Sequence, residues 1–192
     1  VFPDLPDTFM KETADVVHNA GGIIIADEVQ PGFGRLGTHM WGHERVGIVP
    51  DIVTLGKPMA NGHPVGAVVT TSDIMKSFRS GYRYFNTFGG NPVSCAAAMA
   101  VLDVLEEDQL LDNAAAVGRY AKTELTRLAD RHDLIGDVRG QGLFFGAELS
   151  QTAPPKHPRP RRQINWSTCY DRKAFLPVRW ASIGVRSKYD LR

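Results

Sequence analysis

A lysine and a carboxylate each follow a short apolar run in this sequence. Asp27 comes after residues 22–26 (GIIIA), and Lys57 comes after residues 52–55 (IVTL) and Gly56. Short apolar runs bounded by turn residues are typical of strands, and α/β proteins place ligands at the carboxyl ends of their strands. We therefore expect Asp27 and Lys57 to converge at one rim of a sheet.

These two groups suit an aldehyde cofactor that carries a pyridine ring. An amine forms a Schiff base with the aldehyde, and a carboxylate keeps the ring nitrogen protonated. Gly56 leaves space beside the lysine, while Gln30 and Val29 are placed to donate to a phenolic oxygen and to lie against a ring face. Taken singly, Asp27 has a plainer reading as a turn cap, and Lys57 as a solvated surface lysine. The two groups in their shared context favour the cofactor.

The periodicity of the rest of the chain predicts an α/β fold. Predicted helices cover residues 8–20, 72–79, 93–107 and 109–131; predicted strands cover residues 22–26, 52–55, 65–71 and two short runs within 134–149. The predicted helix caps are Asp7, Asn91 and Asp108. Residues 22–26 are apolar throughout, which predicts a strand buried on both faces.

The sequence divides into three parts by its composition and its hydrophobic pattern. Residues 1–131 carry the α/β pattern, and residues 132–149 begin a second, smaller unit, with a boundary near His132. Residues 150–192 open with a Pro- and Arg-rich stretch (QTAPPKHPRPRR) that cannot bury a core, so we expect a poorly packed tail.

The bulk composition excludes several classes of function. The formal net charge is +1, so no general affinity for nucleic acid or an anionic membrane is expected. No apolar run is long enough to span a bilayer, which needs about 20 residues. Cys95 and Cys169 give neither a disulfide framework nor a metal spacing. A reducing compartment, cytoplasm or mitochondrial matrix, is the default expectation.

Three other motifs favour plain structural readings. Residues 32–37 (GFGRLG) satisfy a dinucleotide-binding spacing but do not directly follow a strand or open a helix, which predicts a tight loop. His39 and His43 lie four apart without a third ligand nearby, which favours a surface loop over a zinc site. The arginines of the tail favour a solvated segment over a phosphate site; they are Arg159, Arg161 and Arg162.

Several longer motifs then carry a family resemblance. Residues 23–35, 50–71, 84–105 and 136–149 occur in an order and spacing that resemble a class III pyridoxal-phosphate-dependent aminotransferase, over roughly residues 10–149. The resemblance implies the large domain of a fold type I enzyme and the start of its small α+β C-terminal domain. It also implies pyridoxal 5'-phosphate as cofactor and a homodimer as the assembly.

The resemblance assigns a role to each matching residue. Asp27 would pair with the pyridine nitrogen, Val29 would pack on the ring, and Gln30 would contact the 3-hydroxyl. Lys57 would form the Schiff base and later move the proton. Thr87 would bind the cofactor phosphate, usually across the dimer interface; its plainer reading is a turn residue before the Asn91 cap.

The motifs around Lys57 and Thr87 resemble two branches of the class, alanine–glyoxylate-type aminotransferases and phosphoamine phospho-lyases. The main expectation is amino-group transfer from an amine or amino acid to a keto acid, and the alternative is phosphate elimination from a phosphorylated amine. The family's N-terminal half and its substrate-binding arginine region have no counterpart in residues 1–192. A non-catalytic fragment that pairs with a full-length subunit is therefore a third alternative.

Overall fold

The sheet that positions the site has three short strands. The computed structural model describes residues 5–6 and 8–149. Strands β1 (Ile25–Asp27) and β2 (Ile52–Leu55) run parallel, and β3 (Ala67–Thr70) runs antiparallel to β2, in the order β1-β2-β3. The three strands predicted for this region are present, and β1 and β3 are shorter than predicted.

Strand β1 is more exposed than its apolar sequence predicts. Ile23 is 50% exposed and Ile25 is 57% exposed, whereas Ala26, the middle residue of β1, is half-buried. Alternate side chains of a strand point to opposite faces, and among the described residues only one face of β1 is covered. The prediction of a strand buried on both faces is therefore wrong for this part of the chain.

The helices are those that the periodicity predicts, with one short addition. Helix α1 spans Phe9–Asn19, α2 Gly42–Arg45, α3 Ser72–Gly81, α4 Pro92–Glu107 and α5 Leu110–Ala129. No helix among the described residues is long and apolar enough to cross a membrane.

The helix caps match the prediction at one of three positions. Asn91 caps α4, its side chain accepting a hydrogen bond from the amide of Ser94. Asp108 instead ends α4, and Gln109 begins α5 in a left-handed conformation (φ 49°) with no side-chain cap. The left-handed conformation of Gln109 interrupts the helical backbone between α4 and α5, and this break stands in place of the predicted Asp108 cap. Asp7 lies outside the described residues, and Thr8 occupies the N-cap position of α1.

The predicted pair of strands in residues 134–149 forms an antiparallel hairpin. Strand β4 (Ile135–Gln141) pairs with β5 (Phe144–Leu149), and both strands contact α5. The amide of Leu143 donates to the carbonyl of Arg35 at 2.9 Å, which also joins the hairpin to the loop after β1. The domain boundary near His132 stays a prediction, and residues 150–192 lie outside the described part.

The glycine motif at residues 32–37 is a tight loop, as predicted. Gly34 and Gly37 adopt φ values of 72° and 78°, and α2 begins only five residues after the motif ends. A Cβ on Gly37 would come within 2.5 Å of the backbone nitrogen of Ala115 in α5. The glycines therefore let this loop pack closely on α5, where a side chain would collide with backbone.

Candidate functional site

The parallel pairing of β1 and β2 brings Asp27 and Lys57 to the same rim. Asp27 is the last residue of β1 and lies opposite Thr54 in the register. The amide of Glu28 donates to the carbonyl of Thr54 at 3.0 Å, which extends the ladder by one bond. Lys57 follows β2 two residues after its end at Leu55, so both groups leave the carboxyl ends of neighbouring parallel strands.

The Asp27 carboxylate is held by one of its two oxygens. Oδ1 accepts hydrogen bonds from the amide of Val29 at 3.1 Å and from the hydroxyl of Thr54 at 3.3 Å. The first bond is the local turn that the plainer reading anticipates. Asp27 is exposed, and both of its hydrogen bonds to described residues end on Oδ1. Oδ2 is therefore available to a ligand at the rim.

Val29, two residues after Asp27, lies beside Gly56, the residue before Lys57. A Cβ on Gly56 would stand 3.4 Å from Cγ1 of Val29 and 3.6 Å from Cγ2. An alanine methyl group at position 56 would make ordinary van der Waals contact with the Val29 isopropyl group. The glycine thus keeps an apolar surface open beside Lys57, and Gln30 continues the same segment half-buried.

Lys57 projects from a run of tight turns. The amide of Met59 donates to the carbonyl of Gly56 at 2.6 Å, and the amide of Asn61 donates to the carbonyl of Pro58 at 3.2 Å. The lysine side chain is exposed, while Ala60 is buried and anchors the turns to the fold. The lysine amine is therefore accessible on a loop whose backbone is hydrogen-bonded on either side of it.

Thr87 lies in an exposed segment before α4. The side-chain oxygen of Asn86 accepts from the amides of Phe88 and Gly89, both at 3.1 Å, which makes a turn around Thr87. Phe85 and Phe88 on either side are 86% and 79% exposed. Thr87 is thus exposed, with two exposed aromatic side chains close to it in the same segment.

The sequence analysis missed the structural role of Glu28, a fully buried carboxylate next to Asp27. Its Oε2 accepts from the amide of Gly42 at 2.8 Å, and its Oε1 accepts from the amide of His43 at 2.7 Å. The imidazole Nδ1 of His43 is 2.8 Å from the same Oε1. Glu28 therefore ties the end of β1 to α2. The signal that could have found it is the strand's alternation, which turns one of two adjacent carboxylates inward.

This pairing also corrects the reading of the two histidines. His43 belongs to α2 and is largely buried against Glu28, so the surface-loop prediction is wrong for it. The ring of His39 bonds the hydroxyl of its neighbour Thr38 at 2.9 Å. The described residues contain no group of three side chains able to hold a metal ion.

A third carboxylate, Asp51, lies at the opposite end of β2 from Lys57. Its Oδ2 accepts from the amide of Ile24 at 2.7 Å and lies 2.9 Å from Nε2 of His18. The hydrogen bond from the Ile24 amide, then that of His18, holds the pKa of Asp51 below its usual range. Asp51 thus joins α1 and β1 to β2 on the side away from the site.

Comparison with known proteins gives the family. The sequence profile described as "Aminotransferase class-III" matches residues 3–170. The chain belongs to the class III aminotransferase family. Human mitochondrial alanine–glyoxylate aminotransferase 2 is 46% identical over 160 residues, which are 83% of this chain and 31% of that protein. Drosophila melanogaster alanine–glyoxylate aminotransferase 2-like is 50% identical over 162 residues, 84% of this chain and 33% of that protein. The chain spans about a third of these relatives.

Solved structures of the family share the fold. A phospholyase from Arthrobacter, solved in complex with phosphoethanolamine, is 44% identical with a TM-score of 0.73, over 82% of this chain and 37% of that one. An omega-transaminase from Thermomicrobium roseum is 40% identical with a TM-score of 0.69, over 76% of this chain and 33% of that one. The predicted family and the predicted fold type I architecture are confirmed.

Proposed function

We propose that this chain carries the lysine-bearing part of a class III aminotransferase site that binds pyridoxal 5'-phosphate. The observation that carries the proposal is the placement of Asp27 and Lys57 on one rim, with Val29 against Gly56, the residue before Lys57. When bound, the cofactor supplies an aldehyde and an electron-accepting ring. An exposed amine, a carboxylate with one open oxygen and an apolar surface are the groups that such a ring requires.

Each residue has a defined task in this proposal. The Lys57 amine binds the aldehyde carbon, and later moves the proton of the substrate's amine-bearing carbon. Asp27 holds a proton on the ring nitrogen through charge, and Val29 packs on the ring. Gln30 donates to the 3-hydroxyl oxygen, and the Thr87 hydroxyl holds the phosphate, in a homodimer from the neighbouring subunit. The substrates are an amine or amino acid and a keto acid.

Borohydride labelling tests the cofactor site. The 192-residue chain is incubated with pyridoxal phosphate, reduced with borohydride and digested. We expect the cofactor's mass on the peptide that contains Lys57, and none in Lys57→Ala. Lys76→Ala is the matched control, because Lys76 is an exposed lysine paired only locally with Asp73. Labelling that is equal in wild type and Lys57→Ala would overturn the proposal.

A second candidate reaction is phosphate elimination from a phosphorylated amine. It is favoured by the 44% identity to the Arthrobacter phospholyase solved with phosphoethanolamine. In either reaction Lys57 would hold the cofactor's aldehyde carbon until a substrate amine took its place, and would then remove a proton from the amine-bearing carbon, while Asp27 would keep the ring nitrogen protonated, so Asp27 and Lys57 serve either outcome. The residues that bind the substrate decide between them.

Phosphoethanolamine supplied without a keto acid separates the two reactions. An aminotransferase stops after one half-reaction and stays silent until a keto acid arrives. A phospho-lyase releases phosphate over many turnovers, a result that would replace aminotransfer with elimination. Cofactor labelling of Lys57 without either reaction would support the third alternative, in which this chain pairs with a full-length subunit.

The names of two relatives support a proposal for the compartment. The human and Arabidopsis thaliana proteins are named mitochondrial. We infer the mitochondrial matrix for this protein, with the cytoplasm as the alternative. Import of a tagged copy into isolated mitochondria tests this assignment.

A further inference from the structure

The loop after Lys57 contains the one Asn-Gly pair in residues 1–192, Asn61-Gly62. Both residues are exposed, as is His63 after them. Asn61 adopts the left-handed conformation (φ 46°), and Gly62 has a φ of 102°, a value that residues with side chains rarely adopt. The backbone of this loop therefore favours glycine directly after the asparagine.

The Gly62 amide and the Asn61 side chain are free to react with each other. Within the part of the chain that the structure describes, neither group makes a hydrogen bond. The amides on either side are bonded, that of Asn61 to the carbonyl of Pro58 at 3.2 Å and that of His63 to the carbonyl of Ala60 at 3.0 Å. A Cβ on Gly62 would meet nothing within 4 Å, so there is room for the glycine backbone to rotate toward the asparagine.

We propose that Asn61 is a site of spontaneous deamidation, a modification that does not depend on the proposed function. The Gly62 nitrogen loses its proton to solvent and attacks Cγ of Asn61; the new N–C bond closes a cyclic imide, the bond to the side-chain nitrogen breaks, and ammonia leaves. Water then opens either of the two carbonyl–nitrogen bonds of the ring, which leaves aspartate or isoaspartate at position 61. The attack is intramolecular, so it needs no binding step.

Three other asparagines each lack part of this combination. Asn91 precedes Pro92, which has no amide hydrogen to lose. Asn113 precedes Ala114 inside α5, where the amides are held in the hydrogen bonds of the helix. The side-chain oxygen of Asn86 already accepts from two backbone amides. Asn91 and Asn113 are therefore controls that the chain itself supplies.

Deamidation changes the loop in two ways. Either product adds a negative charge four residues after Lys57. Isoaspartate also routes the main chain through the side-chain carbons, which adds one methylene group between Ala60 and His63. Ala60 is buried, and Nε2 of His63 lies 2.9 Å from Oγ of Ser94 in α4. A longer chain between two anchored residues has to bulge, so we expect isoaspartate to distort the turns from which Lys57 projects.

Ageing of the full 192-residue chain tests the site. The protein is kept warm at neutral pH, and samples are digested and analysed by mass spectrometry, which detects replacement of an amide NH2 by OH. We expect Asn61 to convert at least about tenfold faster than Asn113, because the amide after Asn113 is released only by local opening of the helix. Chromatography of the peptides should resolve both aspartate and isoaspartate at position 61.

Two results would overturn the proposal. One is conversion of Asn61 no faster than that of Asn113. The other is aspartate as the sole product, because direct attack of water on the side chain leaves the main chain unchanged. Asn61→Gln has a longer side chain that closes a larger ring more slowly, so it should stay unmodified over the same period.

Borohydride labelling of Lys57 with pyridoxal phosphate measures the effect on the loop. Aged wild type should be labelled less than fresh protein, in proportion to its isoaspartate, whereas aged Asn61→Gln should be labelled as well as the fresh variant. Asn61→Asp carries the charge without the longer main chain, and should be labelled more than aged wild type. Equal labelling of fresh and aged wild type would overturn the effect on the loop. If even fresh wild type is not labelled, the proposed function fails, and the mass of the Asn61 peptide still decides the modification.

Discussion

Glu28 offers the sharpest test of how this site is supported. Its buried carboxylate accepts three hydrogen bonds, from the amides of Gly42 and His43 and from the His43 ring, at 2.7–2.8 Å. Replacement by alanine leaves all three donors without a partner. Each unsatisfied buried group costs about 1–3 kcal/mol, and removing one member of a buried pair costs about 3–5 kcal/mol.

We expect Glu28→Ala to lower the free energy of unfolding by about 3–5 kcal/mol, since the partly exposed His43 regains some water. Glu28→Gln keeps the volume and one acceptor but sets an amide NH2 against a donor, so about 1–3 kcal/mol is expected. Glu44→Ala is the control; within residues 8–149 the hydrogen bond to that exposed carboxylate comes from the amide of Trp41, at 3.0 Å, and its loss should cost about 1 kcal/mol.

Urea denaturation followed by far-ultraviolet circular dichroism measures these differences. A double-mutant cycle with His43→Ala isolates the side-chain pair from the two backbone bonds. Glu28→Gln should also weaken binding of pyridoxal phosphate, because Glu28 stands between Asp27 and Val29. The reasoning is refuted if Glu28→Ala costs no more than Glu44→Ala.

Three further perturbations follow from the packing and the charges. A Cβ on Gly118 would overlap the carbonyl of Gly142, so Gly118→Ala should lower the free energy of unfolding by about 1–3 kcal/mol in the same denaturation assay. Gly81→Ala is the control and should be neutral, because a Cβ on Gly81 meets open space. The pKa of Asp51 is lower in the folded than in the unfolded chain, so its contribution to the free energy of unfolding is present above about pH 4 and is lost as the pH falls through the folded-state pKa. The difference in unfolding free energy between wild type and Asp51→Asn should therefore shrink in acid, and a difference that does not change with pH would contradict this. Asn91→Ala removes the α4 cap and should cost about 1 kcal/mol, measured by thermal unfolding against the exposed Asn113→Ala as control.

Local sequence patterns predicted the elements whose determinants lie within a few consecutive residues. Asn91-Pro92 marked the start of α4 because an asparagine side chain and a proline ring both suit the first turn of a helix. The parallel rim followed from two apolar runs that each end in a polar group, and the register of β1 with β2 bears it out. Such features need no knowledge of distant contacts.

Contacts between residues that are far apart in the sequence were not predicted. Glu28 bonds a backbone fourteen positions away, and Ser94 meets His63 thirty-one positions away. Nothing in the local pattern of either residue shows the other. The exposure of β1 escaped for the same reason, because an apolar run shows that a strand is suited to burial and not what covers it. The roles of Asp27, Val29, Gln30, Lys57 and Thr87 toward a cofactor stay predictions.

The alternation of side chains along β1 explains why two adjacent carboxylates have different roles. Asp27 is exposed at the rim, and Glu28, one residue later, is fully buried. Two like charges side by side on one face would repel, whereas opposite faces separate them and give each its own donors. The Glu28 side chain then holds the start of α2, and its carbonyl accepts from the amide of Gly32 in the glycine loop at 3.2 Å. A charge reversal at either position would therefore act on the other. If Asp27 serves the cofactor as proposed, exchanging Asp27 and Glu28 should weaken the binding of pyridoxal phosphate, measured by borohydride labelling of Lys57, even though the composition is unchanged.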